Sequence, residues 1–358
     1  MNSTRYNTLD VLRGSSVLFL IPLHCMMMYA TPETWKNSIL GELMLIAERG
    51  TPVFLIVMGF SFVFSKRQSA KAVLKRGVKI LAVGYLLNTL KFVVPMLTGI
   101  LPINLIEAHG LGQTEILSTI LHFFLLGDIL QLAGVSLLIM GVLTPLLQNK
   151  FNVLLLGLFI IGTAKLVSGF TLNIVGVDYV LDLLWSNTYN VYFPVFPWMS
   201  FILFGRFLGM LYKENSTSIK RYNQLVLFYA LGIIGLGMLL CVVDYNYHFG
   251  DYYHLGPGGT LLLLGVNMLF LSIVPLIEKF IPQQVNQLLR FTSKNVTSFY
   301  IIQWIIIDWG MGIFGFAQLN QFQILLIIPF YTLLTFIILK FKNNYWQVAS
   351  ERELKRSL

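Results

Sequence analysis

Long apolar runs, each close to twenty residues, follow one another along this chain, and the short connections between them hold nearly all of its charge. A bilayer core of about 30 Å takes about 20 apolar residues to cross as a helix. Inside lipid every backbone N–H and C=O must be satisfied within the segment, which leaves helices as the only answer for runs of this length. Hydropathy places spans at 11–30, 46–65, 77–97, 121–147, 151–171, 194–212, 222–243, 257–277, 296–316 and 321–341. The expected fold is therefore all-α, a polytopic membrane protein of about ten helices forming one domain over 1–358. Charged residues make up only 11% of the 358, against about 25% in soluble domains, so no separate aqueous domain is expected.

The formal charge of +9 does not indicate nucleic acid, because the basic residues form no soluble patch and no recognised nucleic-acid motif. They follow topology instead. With the N-terminus inside, 21 of the 25 Lys and Arg fall on the cytoplasmic side, and Lys36, Arg49, Lys91 and Lys165 fall elsewhere. That bias predicts both termini in the cytoplasm and, for a bacterial-type cell, a multi-pass protein of the cytoplasmic (inner) membrane. Cys25 and Cys241 lie in apolar runs without metal-type spacing, which excludes a disulfide framework. The first apolar run reads as a retained span, with no small-residue cleavage site after it. The sequons Asn2-Ser3-Thr4, Asn215-Ser216-Thr217 and Asn295-Val296-Thr297 are discounted because this topology puts all three inside.

Ionisable residues within spans are costly and mark candidate sites. In the first span His24 lies eleven residues beyond Arg13, on nearly the same helix face and roughly 16 Å deeper, with Pro22 as a source of local bending. This puts a cation at the cytoplasmic rim and an imidazole deeper in the membrane. Asp10 and Arg13 can pair along one face.

The Leu9–Gly14 start and the Arg-x10-His spacing resemble the first helix of the integral-membrane acyltransferases, which comprise the acyltransferase-3 and heparan-α-glucosaminide N-acetyltransferase-like proteins. Further likeness lies in Glu48-Arg49-Gly50-Thr51-Pro52-Val53-Phe54 with Met58-Gly59-Phe60-Ser61, in Gly127-Asp128-Ile129-Leu130-Gln131-Leu132, in Phe193-Pro194-Val195-Phe196-Pro197-Trp198 with Gly205 and Gly209, and in Ser293–Tyr300. Two departures stand out. Many relatives carry a histidine where this chain has Gln303-Trp304, and the lysosomal branch has asparagine at the position of His24.

The resemblance implies transfer of an acyl group, acetyl first among candidates, from cytosolic acyl-CoA to a sugar or glycan hydroxyl or amine on the opposite side. His24 is then the general base, with Glu48 to orient it and Asp128 as a second buried acid. Arg13, Arg76, Lys79, Asn295 and Ser298 are candidates for the donor's phosphates, and Arg49, Gln131, Trp198 and His254 for the acceptor. Each has a structural alternative: helix-to-helix hydrogen bonding for His24, Asp128 and Gln131, positive-inside placement for Arg76 and Lys79, capping for Asn295 and Ser298, and an interfacial aromatic belt for the 185–198 and 244–254 segments. Asn88, Lys91 and Lys165 carry no motif. Asp244, His248, Asp251 and His254 have metal-ligand types without a recognised spacing, so no metal is expected. The expected partners are the lipid bilayer, acyl-CoA and the sugar acceptor; a homo-oligomer is compatible with the sequence. The rival function is a proton- or ion-coupled secondary transporter using His24 and Asp128.

Overall fold

The computed structural model describes residues 7–112, 115–215 and 218–356, with side chains as far as Tyr345. Arg5, the first sequon and Ser216-Thr217 of the second lie outside the described residues, as do the side chains of Arg352, Lys355 and Arg356. Among the described residues nine helices are long and apolar enough to cross a membrane. The protein is an all-α, polytopic membrane protein. The elements used below are α1 (Asn7–Tyr29), α2 (Ile39–Glu48), α3 (Pro52–Val63), α4 (Ala70–Asn88), α5 (Ile116–Leu125), α6 (Ile129–Val142), α7 (Lys150–Val167), α8 (Val177–Trp185), α9 (Val195–Glu214), α10 (Ile219–Val243), α11 (Pro257–Ile277), α12 (Gln283–Lys294), α13 (Val296–Phe314) and α14 (Gln321–Arg356).

Two expected spans differ in detail. The second begins at Ile39 rather than 46, and Arg49-Gly50-Thr51 interrupts it between α2 and α3. Nine residues of mostly apolar helix thus precede Glu48 and Arg49, which sit inside the span and not at its edge. The fourth, expected as one helix over 121–147, is broken at Leu126-Gly127-Asp128 into α5 and α6.

The chain forms two compact units. The first holds the described part of Met1–Leu12 with Arg49–Asn88 and Ile120–Pro282; the second holds Arg13–Glu48, Thr89–Thr119 and Gln283–Leu358. In the first unit α3 lies along α9, α4 along α6, α7 along α9 and α10 along α11. Lipid offers helices no hydrophobic reason to associate, so close backbone approach through small residues does that work. A Cβ on Gly59 of α3 would stand 1.8 Å from the Ile202 carbonyl, and one on Gly205 of α9 would stand 2.0 Å from that of Ile56. The family-like glycines are thus the seam between α3 and α9. On α10, Phe228, Leu231, Leu239 and Val242 are exposed, as lipid-facing side chains are.

In the second unit α1 is held at both ends. A Cβ on Gly14 would meet the Leu289 carbonyl of α12 at 2.2 Å. At the other end the N–H groups of Ala317 and Leu319 donate to the Met28 and Tyr29 carbonyls at 3.0 and 2.7 Å. These bonds satisfy carbonyls that a helix C-terminus otherwise leaves unpaired. The Tyr29 hydroxyl also donates to the Ile307 carbonyl of α13. Together these ties fix the register of α1 against α13.

Candidate functional site

That register brings His24 onto the face of α13 that carries Tyr300 and Trp304, four residues apart and therefore on one side of the helix. His24 is buried. Its ring stacks on Trp304 with centroids 3.7 Å apart and planes at 22°, and Tyr300 meets it edge-on at 6.1 Å. Nδ1 of His24, Nε1 of Trp304 and both amide atoms of Gln303 have no hydrogen-bond partner among the described residues. Unsatisfied polar atoms in a buried site are costly in proportion to their number. Two of them, on His24 and Trp304, belong to stacked rings.

Lys91 completes this cluster. It is buried, and its ammonium lies 4.0 Å from the Trp304 ring centroid. Lys91 and Asp308 were both readable as charges inside apolar runs, the strongest such signal a membrane sequence carries, yet neither belongs to a motif. Trp304 packs on His24, and Gln303, the residue before it in sequence, is wholly buried.

The other expected donor contacts lie elsewhere. Arg13 is half-buried on α1, and Arg76 and Lys79 are exposed on α4. The Asn295 side chain donates to the Phe291 carbonyl at 2.9 Å and accepts from Asn343 at 3.3 Å, and Ser298 accepts from Lys342. These two residues fasten the start of α13 to its neighbours α12 and α14. Glu48 is half-buried at the end of α2.

In the first unit the structure joins five expected residues into one brace. Asp128 caps α6: its carboxylate accepts from the Ile129 N–H at 2.7 Å, and Gln131 Oε1 accepts from the Asp128 N–H at 3.2 Å. This is a capping box. Asn88 covers the other side of the break, donating to the Phe124 and Leu126 carbonyls at 3.0 and 2.8 Å. Both ends of the broken helix are satisfied, so Asp128 and Gln131 are accounted for by the fold without a substrate.

Gly127 pairs with the 190–192 segment through the Asn190 carbonyl and the Tyr192 N–H, each at 2.8 Å. His254 holds that segment in turn, with Nε2 3.2 Å from the Val191 carbonyl and Nδ1 2.7 Å from Asp251. Both ring nitrogens face acceptors, which leaves neither for an acceptor sugar. Burial by itself raises the Asp251 carboxyl, but the hydrogen bond and charge of His254 with the N–H groups of Tyr253 and His254 outweigh it and hold the group below its ordinary range. Burial first, then the charge of Asp128, pushes the Tyr192 hydroxyl up to about 12.

Trp198 is a core residue and not part of an interfacial belt: it is fully buried and donates to the Tyr253 carbonyl at 2.7 Å. Arg49 closes the brace, its guanidinium 4.7 Å from the ring centroids of both Phe249 and Tyr252. Nη1 of Arg49 has no hydrogen-bond partner among the described residues. The same unit has a cavity of about 180 Å³ lined by His122, Leu125, Tyr179, Asp182, Asn190 and Val191. Asp244 caps the short helix Tyr245–Phe249 and His248 accepts from the Gly258 N–H, so these two are engaged apart from the Asp251–His254 pair. Among the described residues no group of three or more His, Cys, Asp or Glu is placed to hold a metal ion.

An all-helical membrane protein with an imidazole, a lysine and unsatisfied amide and indole groups packed together between its helices has the makings of a membrane-embedded enzyme. The family model described as heparan-alpha-glucosaminide N-acetyltransferase, catalytic, matches residues 5–249. The chain belongs to that family, a family of membrane acetyltransferases. The match contains His24, Lys91 and the α5–α6 break and ends before the Ser293–Tyr300 segment. No curated protein matches the chain. Membership in a transferase family does not favour the transporter reading.

Proposed function

We propose that the protein transfers an acetyl group from cytosolic acetyl-CoA to a sugar or glycan amine or hydroxyl on the far side of the membrane, with His24 as general base. The observation that carries this is the buried His24 ring, stacked on Trp304 with Nδ1 unpaired, inside the part of the chain that matches an acetyltransferase family. An imidazole with an ordinary pKa near 6.5 is suited to take a proton from an acceptor as it attacks a thioester. The family's name favours an amine; the Arg-x10-His start, similar to acyltransferase-3 proteins, keeps a hydroxyl open. We read the whole chain as one catalytic domain of the cytoplasmic (inner) membrane with both termini inside, supported by the 21-to-4 division of its basic residues.

Arg13, at the cytoplasmic end of the helix that carries His24, remains our candidate for the donor's phosphates. Arg49, with an unpaired nitrogen, and the His122–Asp182 cavity are the candidates for the acceptor. Glu48, Asp128, Gln131, Trp198, His254, Asn295 and Ser298 we assign to holding the fold.

The test is acetyl-CoA binding by calorimetry and acetyl transfer to glucosamine, with wild type and His24→Ala. Binding kept and transfer lost in the variant supports the reading. Absence of acetyl-CoA binding by the folded wild type overturns it.

A further inference from the structure

After Asn88 the helix continues through a π-helical turn, Thr89–Val93. A π-turn inserts an extra residue and disturbs the regular bonding ladder, and such turns recur at functional sites. Here Trp309 Nε1 of α13 donates to the Leu90 carbonyl at 2.8 Å, which holds the turn to the helix that carries Trp304. Lys91, the next residue, is thereby buried with its ammonium against the Trp304 ring, on whose indole His24 is also stacked. Gln303, beside Trp304, is wholly buried with neither amide atom bonded. A buried ammonium is expensive in a membrane interior, and the rings of Phe92 and Trp304 lie within 4.6 and 4.0 Å of this one.

We propose that Lys91 is a catalytic residue: its ammonium receives the thioester's carbonyl oxygen and stabilises the negative charge that forms there. The inference rests on acyl transfer at His24. The acceptor lone pair forms the new bond to the thioester carbon, the carbonyl π pair moves onto oxygen, and His24 takes the acceptor proton. When the carbonyl re-forms, the C–S bond breaks and its electron pair leaves with the CoA sulfur, which accepts the proton from His24. Lys91 neither gains nor loses a proton. It supplies a fixed charge where the oxyanion develops, in a site from which water is excluded.

The experiment is steady-state acetyl transfer from radiolabelled acetyl-CoA to glucosamine by the full-length protein in detergent, comparing wild type with Lys91→Met and Lys91→Arg. Loss of an oxyanion contact lowers kcat by about 10²–10³-fold. KM for both substrates stays within about threefold when the lost interaction forms only in the transition state, and Lys91→Arg recovers part of the rate. A Lys91→Met enzyme with kcat within about threefold of wild type overturns the role of Lys91 and leaves acyl transfer standing. Wild type that acetylates neither glucosamine nor any of a panel of amino sugars and hexoses overturns both. If Lys91→Met fails to fold, Trp309→Phe carries the test, since it releases the Leu90 carbonyl while keeping the ring. A lower kcat with a near-native unfolding midpoint supports the proposal, and an unchanged kcat overturns it.

Discussion

The break between α5 and α6 and the cluster around His24 both place polar side chains among membrane helices, but they differ in how far the protein completes their hydrogen bonds. At the break, Asn88 covers the carbonyls at the end of α5 and the Asp128–Gln131 capping box covers the start of α6. Among the described residues Gln131 Nε2 has no partner there. At the His24–Trp304 stack an imidazole nitrogen and an indole N–H have none among the described residues. A buried polar residue whose bonds are closed by its own chain stabilises structure, whereas one left open is held ready for something that arrives. The half-buried acid Asp128 and the buried imidazole His24, equally conspicuous in the sequence, thus fall on opposite sides of this distinction.

The largest expected effect tests the open region. His24→Ala should lower kcat by about 10²–10⁴-fold, the usual worth of a general base, with acetyl-CoA affinity measured by calorimetry unchanged. Loss of binding together with rate would make His24 a packing residue and erase the contrast.

The closed region should respond in stability instead. Asn88→Ala strands the Phe124 and Leu126 carbonyls, at about 1–3 kcal/mol for an unsatisfied buried group. The unfolding midpoint should drop clearly while activity per folded molecule is retained. Asp128→Ala removes a helix cap and should cost about 1 kcal/mol, again with kcat preserved. A folded Asp128→Ala protein that has lost its turnover would break the comparison and return Asp128 to the chemistry.

The smallest effect concerns the brace at Asp251. Its folded-state pKa is depressed, so the stabilisation it gives is fully present above the ordinary carboxylate value of about 3.9 and is lost as pH falls through the lower folded value. Unfolding midpoints measured across acid pH should show wild type losing stability on that limb and Asp251→Asn lacking that component. Parallel curves for the two proteins would separate the brace from Asp251.

Much of the architecture was legible because a bilayer imposes one length and one secondary structure on any chain that crosses it. Trp198 and His254 were less so. Both are residue types that suit sugar binding, and composition cannot reveal that the Tyr253 and Val191 carbonyls already occupy them. Lys91 and Asp308 were visible as charges in apolar runs without a sequence pattern to connect them to His24.

The sequence by itself determined that the chain is a bundle of membrane helices with its cations toward one end of most spans and an imidazole within the first, because hydrophobic length and charge placement are local properties. Only the tertiary structure decided which polar residues meet. The Gly14 contact and the 317–319 bonds set the register of α1, and the Trp309 bond to the π-turn sets that of Lys91. Those registers depend on contacts between segments more than two hundred residues apart, and the grouping of His24, Lys91 and Trp304 follows from them.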